Sequence, residues 1–415
     1  MTELNRSVVV TGIGVFTSIG CSRKDFWDSL MLGKSGVAPI SLFDAGSHKT
    51  RIASEVKSFS PEDFIPRKEA RRMARVSQLA TCAAIESLRD AGLDLSNEDP
   101  SRVGCIVGSA AGDYYNLEEQ FTRFNEKGPG FVNALTIPKV IPNMPACNVA
   151  LHLSITGPNF GVSTACATGA HAIGLARTVL QQGQADVVLA GGAESTITPF
   201  VVDGYSCMGV LSQRNDQPEA ASRPFEAERD GFVIGEGAGI LVLETLEHAR
   251  RRGAEPLAFL RGFGMTCDAY SIAIPEPNGK SAAAAIRCAL ADAGLNGEQI
   301  GHINAHGTST KVNDKVETGA IKLAFGEHAN RILTSSTKSM IGHTLGAAGA
   351  IEAAATVLAI HNGVVPPTIN YKTPDPECDL NIVANTARDA NLKAAISNSF
   401  GFGGQNAVLV FGNTP

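Results

Sequence analysis

Two stretches of this 415-residue chain return later in it, in the same order. The run Ser87-Leu-Arg-Asp-Ala-Gly-Leu93 comes back as Cys288-Ala-Leu-Ala-Asp-Ala-Gly-Leu295, each time ahead of a short loop and an apolar stretch. The run Ser163-Thr-Ala-Cys166, with Arg177-Thr-Val-Leu180 behind it, comes back as Ser336-Thr-Lys-Ser339 with Ala355-Thr-Val-Leu358. Duplication of one unit leaves echoes in a fixed order; chance likeness between Ala-rich helices is the competing explanation. Duplication predicts two similar halves that share one core. The seam falls in His248-Ala-Arg-Arg-Arg-Gly-Ala-Glu-Pro256, where a helix closes on basic residues and a Gly, giving halves 1–253 and 254–415.

Within each half the pattern is α/β. Ser7–Gly14, Val103–Gly108, Ala185–Ala190 and Gly239–Glu244 read as buried strands, and Ser77–Ala91 and Cys166–Gln182 as helices. With 43 Gly and only 6% aromatic residues, close helix–sheet packing is favoured over an aromatic-rich sandwich. A hydrophobic share of 44% excludes disorder, and a net charge of −6 gives no general attraction to nucleic acid. The nine Cys are scattered without a C-x-x-C pair, which suggests neither a disulfide framework nor a zinc site and fits a reducing compartment. The N-terminus lacks the pattern of a secretory signal. The longest apolar run, Ala347–Ile360, is broken by Glu352 and is shorter than the ~20 residues a membrane span needs, so a soluble protein is expected.

Cys166 stands where a strand end turns through small residues into a helix. At a helix N-terminus, free N–H groups and aligned dipoles favour a thiolate, hence a nucleophile; a buried structural cysteine would fit the same letters. His306 follows the apolar run at Ile303 and enters a turn of small and hydroxyl residues. His343 lies in the loop before the helix that carries Glu352. Either histidine alone reads equally as a satisfied polar residue. By the second echo, however, the His343 loop holds in the C-terminal half the place that Cys166 holds in the N-terminal half, so pseudo-symmetry predicts one cleft for both. The Gly-rich tail Ser397–Asn406 suits backbone N–H groups aimed at an oxyanion, and is also a good turn. Asp230–Gly239 lacks the Lys and the helix of a phosphate-binding loop, so its glycines read as packing.

Taken in order, STACATGA (163–170), NAHGTST (304–310), STKSMIGHTLGAAGAIEA (336–353) and SNSFGFGGQN (397–406) closely resemble the β-ketoacyl-[acyl-carrier-protein] synthases, nearest the elongating branch, synthase II. The likeness runs from Val8–Gly14 to the last strand, 407–411. It implies the thiolase-like fold, in which two duplicated α/β halves form a five-layered α-β-α-β-α sandwich, as a homodimer. It also implies an acyltransferase that condenses malonyl units, carried on acyl carrier protein, with a chain held on Cys166, in cytoplasm or in plastid stroma after removal of a transit peptide. By the same likeness, His306 and His343 act on the malonyl thioester, Lys338 and Glu352 support the site, and Asp314 and Glu317 hold the region in place. The backbone N–H groups of Cys166 and Phe402 form the oxyanion hole. Thr308 and Thr310 bind the phosphopantetheine arm, Phe400 and Phe402 contact substrate, and Ala111 gates the acyl pocket. No metal or other cofactor is implied.

Lys68, Arg71 and Arg72 match the family's patch for acidic carrier protein, a local cationic face on an anionic chain, and a solvated helix face is the plain alternative. Three positions depart from the pattern: Gln405 stands where Thr or His is usual, Ala273 where a hydroxyl helps bind the arm, and the loop around Gly209 lacks a docking Arg. Polyketide ketosynthases share the Cys-His-His set. Non-catalytic chain-length-controlling subunits typically lose the Cys, which is present here.

Overall fold

A computed structural model describes residues 7–57 and 59–415. Ten strands form the main sheet: β1 (Val8–Phe16), β2 (Val103–Gly108), β3 (Asn159–Phe160), β4 (Val187–Glu194), β5 (Gly237–Thr245), β6 (Ala258–Cys267), β7 (Ile300–Asn304), β8 (Leu333–Ser335), β9 (Ala394–Gly401) and β10 (Gln405–Gly412). Six helices frame the argument: α1 (Arg75–Ala91), α2 (Tyr114–Lys127), α3 (Thr168–Gln181), α4 (Lys280–Ala293), α5 (Lys311–Phe325) and α6 (Ala348–Asn362).

The strand order states the duplication directly. From the middle outward the sheet runs β1-β5-β4-β2-β3 on one side and β6-β10-β9-β7-β8 on the other, the same order shifted by five strands. Directions match as well: β1–β5 and β5–β4 are antiparallel and β4–β2–β3 parallel, as β6–β10, β10–β9 and β9–β7–β8 are. The halves join where Val8–Val10 pair with Ala258–Leu260.

The alternation of side chains sorts the layers. In β4 and β5, Val188, Ala190, Leu241 and Leu243 face a core shared with α3 and α6, while Val187, Leu189, Ile240 and Val242 face α1. In β10, Ala407, Leu409 and Phe411 face that shared core, and Val408 and Val410 face α4. Each five-stranded half of the sheet is thus covered on both faces, with α3 and α6 between the two halves, which gives the expected five layers. Helix α6 is buried from Ala348 to Ile360, so the longest apolar run is the core of the molecule.

Small residues set the distances. A methyl group on Gly12 would lie 2.3 Å from Ser87 O of α1, and one on Gly262 would lie 2.3 Å from Ala289 O of α4. Gly14 and Gly264 repeat the arrangement against Ala83 and Ala285. Both helices then close on a left-handed Gly, Gly92 and Gly294. The first echo is therefore in register. The second finds the right helices but not the register: Gly169 packs on Ala350 and Gly349 on Ala170, so the structure equates 169 with 349, which puts the pairing of Thr178 with Thr356 two residues out and that of Ser163 with Ser336 seven. Helix α3 also starts later than the expected Cys166, leaving that residue in the turn.

Candidate active site

The crossing of α3 and α6 at these small residues brings the loops at their N-terminal ends together. Cys166 occupies the turn before α3, next to Ala165, which adopts a left-handed φ of +48°. His343 occupies the loop before α6. Its N–H donates to Val233 O at 2.7 Å, its carbonyl accepts from Gly235 N–H at 2.9 Å, and Phe232 presents an edge-on ring. The glycine-rich segment 230–239 therefore packs closely, as expected, and also clamps the His343 loop, a role its sequence gives no sign of. Across the gap, Nε2 of His343 lies 3.1 Å from Cys166 Sγ.

His306 follows β7. Glu317 of α5 accepts from the N–H groups of His306 (2.8 Å) and Gly307 (2.7 Å) and from the side-chain amide of Asn398 (3.1 Å), fixing the turn. Asp314 accepts from Phe225 N–H and pairs with Arg229. Lys338 is buried and spends its three protons on Glu352, on His306 O at 2.6 Å and on His306 Nδ1 at 3.4 Å. An ammonium group has no lone pair, so Nδ1 must accept, and the ring proton of His306 sits on Nε2.

For His343 the same reasoning runs through an absence of partners. Its Nδ1 is buried with no partner among the described residues. Orphaned N–H donors are rarer in proteins than orphaned acceptors, so the proton belongs on Nε2, facing sulfur. Two neutral imidazoles, 5.4 Å between ring centroids, thus turn Nε2–H groups toward one region. Burial holds both rings well below the usual histidine range, reinforced by Lys338 and, for His306, by His343.

The lowered thiol expected of Cys166 is not what the environment gives. Burial pushes it up to about 11, against the opposing pull of Lys338 and of the Phe402 N–H that it accepts. The reason is placement: sulfur sits in the turn, two residues short of α3, in an apolar surround, and desolvation outweighs the dipole. Burial likewise pushes Glu352 up to about 7 despite Lys338, and Glu317 to about 7 despite its three donors.

The tail of β9 completes the site. A methyl group on Gly401 would lie 2.8 Å from Thr164 O, so only Gly brings this strand end against the Cys166 turn, with the N–H of Phe402 reaching sulfur. Two cavities meet at Cys166, Tyr205, Leu345 and Phe402. One, about 290 Å³, is lined by His306, His343, Thr308, Thr310, Phe400 and Ala273. The other, about 440 Å³, is lined by Ala111, Tyr114, Phe200, Val201 and Met208. Gly209 lines the first cavity, whereas Gln405 opens β10 opposite Cys267 and its neighbour Asn406 does the lining. Lys68, Arg71 and Arg72 are exposed on and beside a four-residue helix, Arg67–Ala70, shorter than the sequence suggests.

Glu194 was not singled out by its sequence. Fully buried at the end of β4, it accepts from Ser109 Oγ (2.8 Å), Ala110 N–H (2.8 Å) and Gly346 N–H (3.2 Å), tying the Ala111 loop to the loop that follows His343. An acidic residue ending an apolar strand was the available signal.

The family profile described as Beta-ketoacyl synthase, N-terminal domain, matches residues 5–249, and that described as Beta-ketoacyl synthase, C-terminal domain, matches 257–372. The chain is 48% identical over 406 residues to 3-oxoacyl-[acyl-carrier-protein] synthase 2 of Synechocystis, and 46% over 407 residues to that of Staphylococcus aureus strain N315, covering 98% of both chains in each case. Among solved structures, a beta-ketoacyl synthase from Burkholderia phymatum is 36% identical at a TM-score of 0.92, covering 99% of this chain and 100% of the other. The ishigamide ketosynthase/chain length factor gives the same identity, TM-score and coverage.

Proposed function

The chain belongs to the beta-ketoacyl synthase family, and on that footing we propose which residues carry its reaction. It is a condensing acyltransferase of fatty acid biosynthesis, of the kind that elongates a chain by joining it to a malonyl unit. In the proposed assignment, Cys166 Sγ attacks the thioester of an acyl chain on acyl carrier protein. The new bond is Sγ to carbonyl carbon, the bond broken is carbon to pantetheine sulfur, and the Cys166 proton leaves with that sulfur. The N–H groups of Cys166 and Phe402 hold the tetrahedral oxyanion.

Malonyl-carrier protein then loses CO₂, and the electron pair of the broken bond becomes an enolate. The two Nε2–H groups of His306 and His343 are the donors that steady its oxygen, and Lys338 with Glu352 orients His306. The enolate carbon attacks the acyl-Cys166 carbonyl, the thiolate leaves, and solvent reprotonates it. Loss of CO₂ supplies the drive, so the chemistry needs no cofactor. The observation that carries this reading is the convergence of Cys166, His306 and His343 on one cavity.

Thr308 and Thr310, whose hydroxyls lie 2.9 Å apart, would bind the phosphopantetheine arm in the first cavity, with Phe400 at its wall, and Ala111 would bound the acyl chain in the second. Lys68, Arg71 and Arg72 would meet the acidic carrier. We place the division of halves at 253/254, in the loop between helix Leu246–Arg251 and β6. A homodimer is supported by β3, the two-residue end strand of the sheet, and by Tyr115, Phe121, Ile137, Leu151 and Phe160, exposed on the consecutive elements that lead to it. The bacterial relatives favour a cytoplasmic location over a plastid one. A polyketide role is the alternative, carried by the ketosynthase/chain length factor likeness; the retained Cys166 opposes a non-catalytic partner subunit.

The test is intact-mass analysis after incubation with acyl-carrier protein. Wild type should gain the acyl mass and Cys166→Ala should not. His306→Ala and His343→Ala should acylate but fail to release CO₂ from malonyl-carrier protein. An acyl mass on Cys166→Ala, or normal CO₂ release from either histidine variant, overturns the assignment. Chain-elongation assays with fatty-acid and polyketide carrier proteins separate the two pathways.

A further inference from the structure

The three groups that meet in the first cavity have a second chemistry. Cys166 Sγ and one ring nitrogen each from His306 and His343 lie within 4.8 Å of one another, and all three residues are buried. Cys166 Sγ and His343 Nε2 are already 3.1 Å apart. In a tetrahedral site with Zn–S of ~2.3 Å and Zn–N of ~2.0–2.1 Å, neighbouring donor atoms stand about 3.5 Å apart. Even the widest gap therefore needs to close by only about 1 Å. All three residues line one cavity, which offers access and room for water at the fourth position.

We infer that Cys166, His306 and His343 form an inhibitory site for a thiophilic divalent cation, Zn²⁺ above all. The metal binds sulfur and Nε2 of both imidazoles: the thiol proton passes to solvent, each ring proton moves from Nε2 to Nδ1, in His306 at the cost of the hydrogen bond from Lys338, and acylation is blocked because one sulfur cannot hold both metal and acyl chain. Spacing rules for zinc motifs miss the site, since its ligands come from three distant segments.

The surroundings set its strength. A dedicated zinc site gives each ligating imidazole an acceptor for its second N–H. Here His343 Nδ1 has no partner among the described residues, and His306 Nδ1 faces the ammonium of Lys338 at 3.4 Å. That ammonium is paired with Glu352, which moderates its repulsion of a cation without removing it. The site therefore binds reversibly and acts as an inhibitory site rather than a resident metal centre. One thiolate and two imidazoles select Zn²⁺ and Cd²⁺ over Mg²⁺ and Ca²⁺.

The test uses Co²⁺ as a probe on the full-length, metal-free protein. A thiolate-to-cobalt charge-transfer band should saturate at one equivalent, be displaced by Zn²⁺ and persist in Mg²⁺. It should vanish in Cys166→Ala and need at least about tenfold more Co²⁺ in His343→Ala. Zinc should abolish acylation, and a chelator should restore it. A band that survives in Cys166→Ala, reporting metal on exposed Cys207, Cys267 or Cys288 instead, overturns the inference, as does no band at hundredfold excess Co²⁺. The band does not depend on the catalytic reading. If acyl-carrier protein fails to acylate wild type while the cobalt results hold, the nucleophile assignment fails and the metal site stands.

Discussion

Nε2 of His343 lies 3.1 Å from Sγ of Cys166, across 177 positions of chain. Neither residue reaches the other by its own loop. The contact exists because α3 and α6 cross at Gly169 against Ala350 and Ala170 against Gly349, where any larger residue would push the helix N-terminal ends apart. The geometry of this site thus depends on small residues that line neither of its two cavities.

Cys166 should react as a thiol that must first lose its proton. Burial pushes it up to about 11, so alkylation by iodoacetamide should accelerate about tenfold per pH unit from 7 to 10. A rate that levels off by pH 8 would mean that His343, Lys338 and the Phe402 N–H outweigh burial.

Decarboxylation should not follow an ordinary histidine titration. Both rings are held well below 6.5, so they stay neutral as pH falls through that value, and a change in CO₂ release near pH 7 would report Glu352, held at about 7 beside Lys338, rather than a histidine. Lys338→Met removes the donor that fixes the His306 tautomer. It should lower CO₂ release about 10–100-fold while acylation of Cys166 changes little. An equal loss in both steps would assign Lys338 to folding alone.

Chain length should respond to Ala111. It lines the second cavity, which meets the first at Cys166, so Ala111→Ile fills volume where the acyl chain would lie. The ratio of kcat/KM for long over short acyl-carrier protein should fall roughly 10-fold or more. An unchanged ratio would remove Ala111 from the acyl pocket.

Acid stability should turn on Glu244. Burial raises its carboxyl, but hydrogen bonds from Arg252, His248 and Thr11 win and hold it at about 2, below the ordinary 4.5. A depressed carboxyl stabilises the fold above its unfolded value, and that stability drains away between about pH 4.5 and 2. Glu244→Gln should cost about 3 kcal/mol at neutral pH, read as a lower Tm, with the gap to wild type closing toward pH 2. A gap independent of pH would contradict the linkage.

Much of this protein was legible in its letters. The echo at Asp90-Ala-Gly92 and Asp292-Ala-Gly294 gave two equivalent helices in register, because a left-handed Gly cap and small residues facing a strand leave a local signature. Cys166, His306 and His343 stood out because small and hydroxyl residues around a reactive side chain mark a turn at a strand or helix end. The helix crossing was misjudged by two residues, since Thr-Val-Leu repeats by helical periodicity and only interlocking surfaces fix the register.

What composition and pattern determined alone is therefore the α/β class and the two halves, with Cys166, His306 and His343 as candidates, all properties of short segments. The tertiary structure decided the rest: that sulfur is a buried thiol, that both rings offer Nε2–H, that Glu194 ties two loops together and that two cavities meet at Cys166. Protonation and tautomer follow from which charges and lone pairs lie within a few ångströms. Those neighbours come from segments far apart in the chain, so only folding brings them together.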